Sequence, residues 1–580
     1  MRARPSRRLL PENATDRCRS DRRLTSRNHC EHTAACTTLA FVAALRGWLD
    51  RNLLALAREM RVSYLPPLMV YVAAGISGLT AIVGTFFVKE RLGLSAEFLA
   101  ALGFWAGLPW ALKVPLGHLV DLIWRWKGAM VFMGAGLIAM SVAIMIGLLG
   151  SPESMRAWAS IEAWYVAGAL LAPIGYVVQD VVADAMTVEA VPRFDANGQP
   201  IGMAERKSMN TTVQTLGRVA IIGGSVLVAL ANVYLLRGAA ELPEAHKTLA
   251  YLRVYQLALI IPVVSVLGVV LGMALAWRDA RRLAAKGFAR AEVRRMLNPH
   301  GERPPVSWWI LGGGLAFAVV SLGVGVGQVP GAEEIVFSLS MAIVLFLIWR
   351  LTGELEPDAR HVLVGTAIVV FVFRALPGPG AGSTWWMIDR LGFDQQFLAT
   401  LSLIGSVLTL AGLFVFRRFM AERSIAYIVG FLTVAGTLLG LPIVGMYYGL
   451  HDWTAAHTGG LVDARAIALI DTALESPLGQ IAMVPMLAWI ANSAPDRLKA
   501  TFFAVMASFT NLALAAAQLG TKYLNQIFIV TREVRDRAGV VKAPADYSDL
   551  GMLLVVTTVL GLVAPLLTIL LVKASRFRSA

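Results

Sequence analysis

Among the ionisable side chains inside long apolar runs of this chain are Lys113, Asp180, Asp184, Arg218, Arg374, Asp471 and Glu475. A charge at membrane depth is costly, so such groups face a watered path or one another. Asp180 and Asp184 stand four residues apart, which puts both on one helix face. Two close carboxylates raise each other's proton affinity, so the pair can carry a proton for a coupled process. At the inner end of its helix the same pair can instead brace a gate against Arg206 or Lys207, and that reading is favoured. A D-x-x-x-D metal site is a third reading, weakened because no second Asp-rich motif of that spacing occurs. Asp471 and Glu475 repeat the spacing nearer the outer end of a later run, serving either in coupling or as a helix mouth beside Asp463 and Arg465. Lys113, Arg218 and Arg374 are cations able to hold the carboxylate of an anionic solute, the arginines through two parallel hydrogen bonds. The alternative is that each neutralises a carboxylate within the bundle. That is favoured for Lys113, is evenly balanced for Arg218, and for Arg374 competes with a place at the outer surface near Pro377.

The elements that must position these residues are membrane spans. Of 580 residues, 57% are hydrophobic and 16% charged, against about 45–50% and about 25% in soluble domains. This excludes a water-soluble multidomain enzyme, a disordered scaffold and a disulfide-stapled secreted domain. Cys18, Cys30 and Cys36 all precede the first apolar run and lack CxxC spacing, so neither zinc nor a disulfide framework is expected. Runs of the roughly 20 residues needed to cross a bilayer predict fourteen helices, near 66–88, 97–123, 128–150, 158–188, 211–236, 251–277, 307–328, 332–351, 360–388, 395–416, 424–449, 461–490, 498–529 and 548–572.

The net charge of +14 is concentrated beside these spans. Arg278, Arg281, Arg282, Lys286, Arg290, Arg294, Arg295 and Arg303 fill one loop, and the positive-inside rule then places both termini in the cytoplasm. A multi-pass protein of the cell inner (plasma) membrane is expected, with the lipid bilayer as its surroundings and no nucleic-acid partner. Residues 1–65 hold half the net charge and read as a disordered basic tail followed by an amphipathic interfacial helix over 41–60. Met60 is an in-frame alternative start, which that helical period argues against. Trp308-Trp309 and Trp385-Trp386 read as interfacial belt residues. Gln179 and Gln214 read as polar lining, and Gly312-Gly313-Gly314 as helix packing.

A repeat organises the spans. An offset of 299 lays Arg91-Leu92-Gly93 on Arg390-Leu391-Gly392, Phe98-Leu99-Ala100 on Phe397-Leu398-Ala399, and Thr85-Phe86-Phe87 on Thr384-Trp385-Trp386. An offset of 304 lays Ala169-Leu170, Pro173 and Gly175 on Ala473-Leu474, Pro477 and Gly479. Two parallel halves are expected, in the manner of transporters that rock about a central site. The divisions are 66–278 for the first six-helix bundle, 279–306 for a basic cytoplasmic loop, 307–359 for two inserted helices, and 360–580 for the second bundle.

Gly117-His118-Leu119-Val120-Asp121, followed by Arg125 and Lys127, resembles the G-x-x-x-D gate signature of the major facilitator superfamily. There a Gly allows close helix approach and Asp121 pairs with basic residues such as Arg125. The stretch from Thr85 to Ser95, Pro109-Trp110 with Lys113, Asp180-Val181-Val182-Ala183-Asp184-Ala185, and Lys499-Ala500-Thr501-Phe502-Phe503-Ala504 with Asn511 resemble the folate-biopterin transporter family. The resemblance touches both halves and departs at Val114 and Lys499. It implies an all-α polytopic membrane protein, a major facilitator-like 6+6 bundle with two extra central helices, moving a folate- or pterin-like solute.

The expected function is a secondary active transporter, not an enzyme: a small, anionic solute crosses by alternating access, coupled to protons or another ion. No cofactor and a monomer are expected. No Walker A sequence supports ATP-driven transport, and no HExxH or nucleophile elbow supports an enzyme. The alternative is a non-transporting assembly or signalling factor built on a transporter fold.

Overall fold

The apolar runs become helices, and three of them break at prolines. The structure, a computed structural model, describes residues 47, 58–92, 94–123, 126–192, 199, 201–297, 306, 308–327, 329–353, 355–483, 485–486, 489, 499–535 and 541–579. Chain contacts divide the molecule into Met1–Arg61 and Val62–Ala580. The interfacial helix expected over 41–60 lies almost wholly outside the described residues, as does most of 484–498.

In chain order the first half comprises α1 (Leu65–Gly75), α2 (Ala81–Arg91), α3 (Ala96–Gly107), α4 (Lys113–Leu122), α5 (Lys127–Gly150), α6 (Ile161–Ala190), α7 (Met203–Leu235), α8 (Glu244–Ala258) and α9 (Ile260–Ala285). Then come α10 (Arg290–Leu297) in the basic loop and the inserted pair α11 (Trp308–Val326) and α12 (Ala332–Thr352). The second half comprises α13 (Pro357–Arg374), α14 (Ala381–Leu391), α15 (Gln395–Val415), α16 (Ile425–Tyr447), α17 (Leu450–His457), α18 (Ala464–Glu475), α19 (Lys499–Ile527) and α20 (Leu550–Ala574). A two-stranded antiparallel pair, Val534–Arg535 with Val541–Ala543, sits in the loop before α20 and is a small addition to the all-α architecture.

Among the described residues, nine stretches are helices long and apolar enough to cross a membrane. Three of the other expected spans are interrupted. A 3-10 turn at Leu108–Leu112, carrying Pro109, separates α3 from α4. The segment with Pro377 and Pro379 separates α13 from α14, and a 3-10 turn at Ser476–Leu478, carrying Pro477, follows α18. Proline removes a backbone donor and clashes with the preceding turn, which accounts for all three positions. α19 is unbroken but polar, carrying Ser508, Asn511, Gln518, Thr521, Lys522 and Asn525.

The repeat is visible in the backbone. The first span breaks after Gly75 through a 3-10 turn at Ile76–Thr80 and restarts at Ala81; the ninth breaks after Arg374 and restarts at Ala381. The turns that follow use matching caps. Ser95 Oγ accepts from the Phe98 N–H, and Asp394 Oδ1 from the Phe397 N–H, each offsetting an orphan donor of a helix N-terminus.

The halves meet along two helix pairs, α3 on α19 and α7 on α15. The inserted pair lies at the edge of the first of these seams. Gly314 of α11 lies so close to Pro115 of α4 that a Cβ there would stand 2.4 Å from the Pro115 Cβ. Glu333 and Glu334 of α12 each meet Lys522 of α19 at 3.3 Å, and Trp105 Nε1 of α3 donates to Glu333 at 3.0 Å. The insert therefore touches both halves, while Leu315, Val319 and Leu322 stay exposed on its far side.

Candidate functional site: a charged clamp and an aromatic chamber

One face of α6 carries the chemistry. Tyr176, Asp180 and Asp184 follow at four-residue spacing, each about 6 Å further along the helix axis. Ser160 starts this helix by accepting from the Ala163 N–H.

Lys113, the first residue of α4 after the 3-10 turn, reaches both carboxylates. Its Nζ stands 2.6 Å from Asp180 Oδ2 and 2.8 Å from Asp184 Oδ2. Tyr71 of α1 donates its hydroxyl to Asp184 Oδ1 at 2.7 Å. Thr187 donates to the Asp184 carbonyl at 2.6 Å and accepts from Gln214 Nε2 of α7 at 3.1 Å. Arg218, one turn further along α7, acts on Asp180 and Tyr71 through its charge. No carboxylate among the described residues lies within ion-pair distance of Arg218. The acidic pair takes Lys113, because the break in the second span turns that ammonium onto α6, and Arg206 forms no ion pair with either carboxylate among the described residues. The Lys207 side chain lies outside the described residues.

The break is tied to the other half. Ser508 Oγ of α19 donates to the Ala111 carbonyl at 3.2 Å, and Asn511 Nδ2 meets the Trp110 carbonyl at 3.5 Å. These carbonyls lose regular helical partners where the helix is interrupted, and α19 supplies donors in their place. On the far side of this crossing, Arg374 Nε donates to the Thr510 carbonyl at 3.2 Å. Arg374 thus sits half-buried at the break of the ninth span, not at an outer surface. It lines a small cavity of about 20 Å³ with Val370, Phe373, Val429 and Met486.

Beside Asp180 on the same helix face opens a cavity of about 350 Å³. Tyr165, Tyr176, Tyr255, Ser77 and Thr80 line it from the first half, Trp385 from the second. Trp385 is 2% exposed, Trp386 is also buried, and the Arg532 guanidinium lies 4.9 Å from the Trp385 ring centre. The expected placement of Trp385-Trp386 as belt residues is therefore corrected: they are enclosed where the halves meet. Trp308 is exposed. Gln179, expected as lining, is buried between α5 and α9, donating to the Val131 carbonyl and Ser265 Oγ.

The remaining candidates lie apart. A Cβ at Gly117 would meet nothing within 4 Å, so this glycine does not serve a close helix approach. The Asp121 side chain and Arg125 lie outside the described residues. Asp471 is buried on α18 in the second half, its Oδ1 without a hydrogen-bond partner, and Glu475 follows one turn on. Among the described residues no His, Cys, Asp and Glu are grouped as metal ligands. Spacing and composition gave no signal for Tyr71, Tyr165, Tyr255 or the α19 donors as parts of one site.

Five polar contacts join the halves at the end of the bundle carrying Arg91 and Arg390. Lys89 pairs with Asp389 at 2.5 Å, Gln395 donates to the Tyr251 hydroxyl at 2.7 Å, and Gln526 donates to Glu97 at 2.6 Å. Arg532 donates to the Leu94 carbonyl at 3.1 Å, and the Gly238 N–H to Gln396 Oε1 at 3.2 Å.

This helical bundle has counterparts among known proteins. The BT1 family model matches residues 331–579. The chain is 24% identical over 452 residues to the folate-biopterin transporter of Synechocystis sp. (strain PCC 6803), covering 77% of this chain and 71% of the relative. Along these stretches the chain resembles the folate-biopterin transporter family. A further stretch of 158 residues is 26% identical to a Plasmodium berghei protein named as a folate transporter, covering 26% of this chain and 32% of that one. Crystal structures share the major facilitator fold. A POT family transporter in complex with 5-aminolevulinic acid superposes with a TM-score of 0.58 at 12% identity, over 88% of this chain and 96% of the other. An auto-inhibited POT family peptide transporter gives 0.54 at 14% identity, over 90% and 98%.

Proposed function

We propose that this folate-biopterin transporter-like protein is a secondary active transporter that carries a small anionic solute of the folate or pterin class across the inner membrane by alternating access, coupled to protons. The observation that carries this reading is the chamber in the first half, closed by Ala381 and Trp385 of the second, with tyrosines on its walls and the Lys113–Asp180–Asp184 clamp on the same helix face. Its volume lies within the range of small-molecule sites, and aromatic walls suit a flat heteroaromatic ring. The relatives named for folate and biopterin support that class.

In this reading the end carrying Arg91 is external, both termini are cytoplasmic, and the protein works as a monomer. The five contacts across the seam then close the outer side, and the structure is the outward-closed state. Lys113 is saturated by two carboxylates, which leaves Arg218 as the cation on the clamp side free to take a solute carboxylate. The paired carboxylates would hold Lys113 in place until solute displaces it.

Purified protein in liposomes tests this directly. Labelled folate inside loaded vesicles should exchange with external label, and unlabelled folate or biopterin should compete. No exchange of either compound, in a preparation whose fold is verified by its thermal transition, overturns the substrate class.

A further inference from the structure

Two acidic pairs at four-residue spacing lie in opposite halves, and their surroundings differ. Asp180 and Asp184 share the Lys113 ammonium, so each carboxylate has a cation within ion-pair distance. Asp471 is 7% exposed, and no lysine, arginine or histidine among the described residues stands within 4 Å of its carboxylate. Its Oδ1 has no hydrogen-bond partner.

The elements packed against α18 explain the lack of a cation. α15 carries no ionisable residue along its length, nor does the 3-10 turn at Ser476–Leu478. α16 contributes Tyr427, which is exposed, and Tyr447, whose hydroxyl donates to the Tyr547 carbonyl at 2.8 Å. α17 offers His451 beside Asp452 at 3.6 Å, and His457, whose Nδ1 is 2.8 Å from the Trp453 carbonyl. On α18 itself Arg465 pairs with Asp394 at 3.0 Å, leaving Glu475, an acid, as the other charged group. An unpaired carboxylate in such surroundings pays its full desolvation cost, and binding a proton removes that cost.

The break that ends α18 lies immediately beyond this pair. Thr409 Oγ1 of α15 donates to the Ser476 carbonyl at 2.9 Å. Gly412 lies against Pro477 so closely that a Cβ would stand 2.2 Å from the Pro477 carbonyl oxygen. The helix can therefore bend within one turn of Glu475 while its backbone stays docked on α15.

We infer that Asp471 is a proton-binding site of the second half, separate from the clamp on α6: it holds a proton from water while buried as here, and returns it to water when movement at the Ser476–Leu478 turn opens α18. Asp180 and Asp184 then position Lys113 and do not carry the coupling proton. The inference deepens the transport reading and rests on it for the consequence, but proton binding at Asp471 can be read without transport.

Infrared spectra of purified full-length protein, titrated from about pH 5 to about pH 9 around the carboxyl range, provide that reading. A protonated carboxyl band should be present, fade as the pH rises, and be lost in Asp471→Asn. Asp471→Glu should keep a band at a shifted position. Identical spectra from wild type and folded Asp471→Asn overturn the site. In liposomes with folate as probe, Asp471→Asn should keep exchange and lose accumulation driven by a pH gradient. Accumulation equal to wild type overturns its coupling role. If wild type exchanges no folate at all, the transport reading fails for that probe, while the spectra still decide whether Asp471 binds the proton.

Discussion

Lys89 and Asp389 join the two halves, Nζ to Oδ1 at 2.5 Å, from the ends of α2 and α14, which the repeat relates to each other. Elements related by a twofold axis meet each other where they lie beside that axis. The duplicated Arg-Leu-Gly turns are thus facing lips of one seam.

Removing this pair should loosen the seam. Both side chains are mostly shielded, so Asp389→Asn is expected to cost about 1–2 kcal/mol, between exposed and buried pairs, which shifts a two-state equilibrium by about tenfold. Spin labels placed on α2 and α14 should report a larger fraction of separated distances. Exchange of the charges, Lys89→Asp with Asp389→Lys, should restore the wild-type distribution.

Lys113→Met leaves Asp180 and Asp184 facing each other without a cation. Loss of one partner from a buried pair costs about 3–5 kcal/mol, and the partial exposure of Asp184 brings the expectation to about 2–4 kcal/mol. A lower thermal transition in detergent measures it. Adding Asp180→Asn should recover much of the loss, since Tyr71 still serves Asp184. No recovery would count against the clamp as the cause.

Arg218→Ala should weaken binding of folate by about 10- to 100-fold, the usual loss for a charge-assisted contact of about 1.5–3 kcal/mol, with the thermal transition little changed. Arg218→Lys should recover part of the affinity because it keeps the charge but not the planar fork. Calorimetric titration with folate decides; unchanged affinity in the alanine variant removes Arg218 from the site.

Trp385→Ala should abolish stacking of a flat ring in the chamber, and Trp385→Phe should keep most of it. Quenching of tryptophan emission by added biopterin, present in wild type and reduced in Trp385→Ala, is the readout. Equal quenching in both places the ligand elsewhere.

Tyr547 gives the seam at the Arg91 end a pH limit. Burial, and then its hydrogen bond to Asp389, push this phenol well above its ordinary range. The folded protein therefore holds the phenolic proton where an unfolded chain would release it. This stabilisation is complete below about pH 10 and falls as the pH rises beyond it. Wild type should lose thermal stability above that pH more steeply than Tyr547→Phe, and parallel curves would exclude the contribution.

Sequence alone determined the membrane class, the duplication, and the small set of charges buried in apolar spans, because hydropathy and helical spacing are local properties of a chain. It did not locate the second-span break, predicting one helix over 97–123, although Pro109 stands where the structure interrupts that run. Pairing was not local. Asp180 and Asp184 take Lys113 across 67 residues or more, Trp385 enters a chamber made by the other half, and Ser508 reaches Ala111 across 397 residues. Two similar-looking acidic spacings became a cation-bridged clamp and an unpartnered carboxyl because each helix packs against different neighbours. Periodicity fixes which residues share a face, and only tertiary packing decides what that face meets.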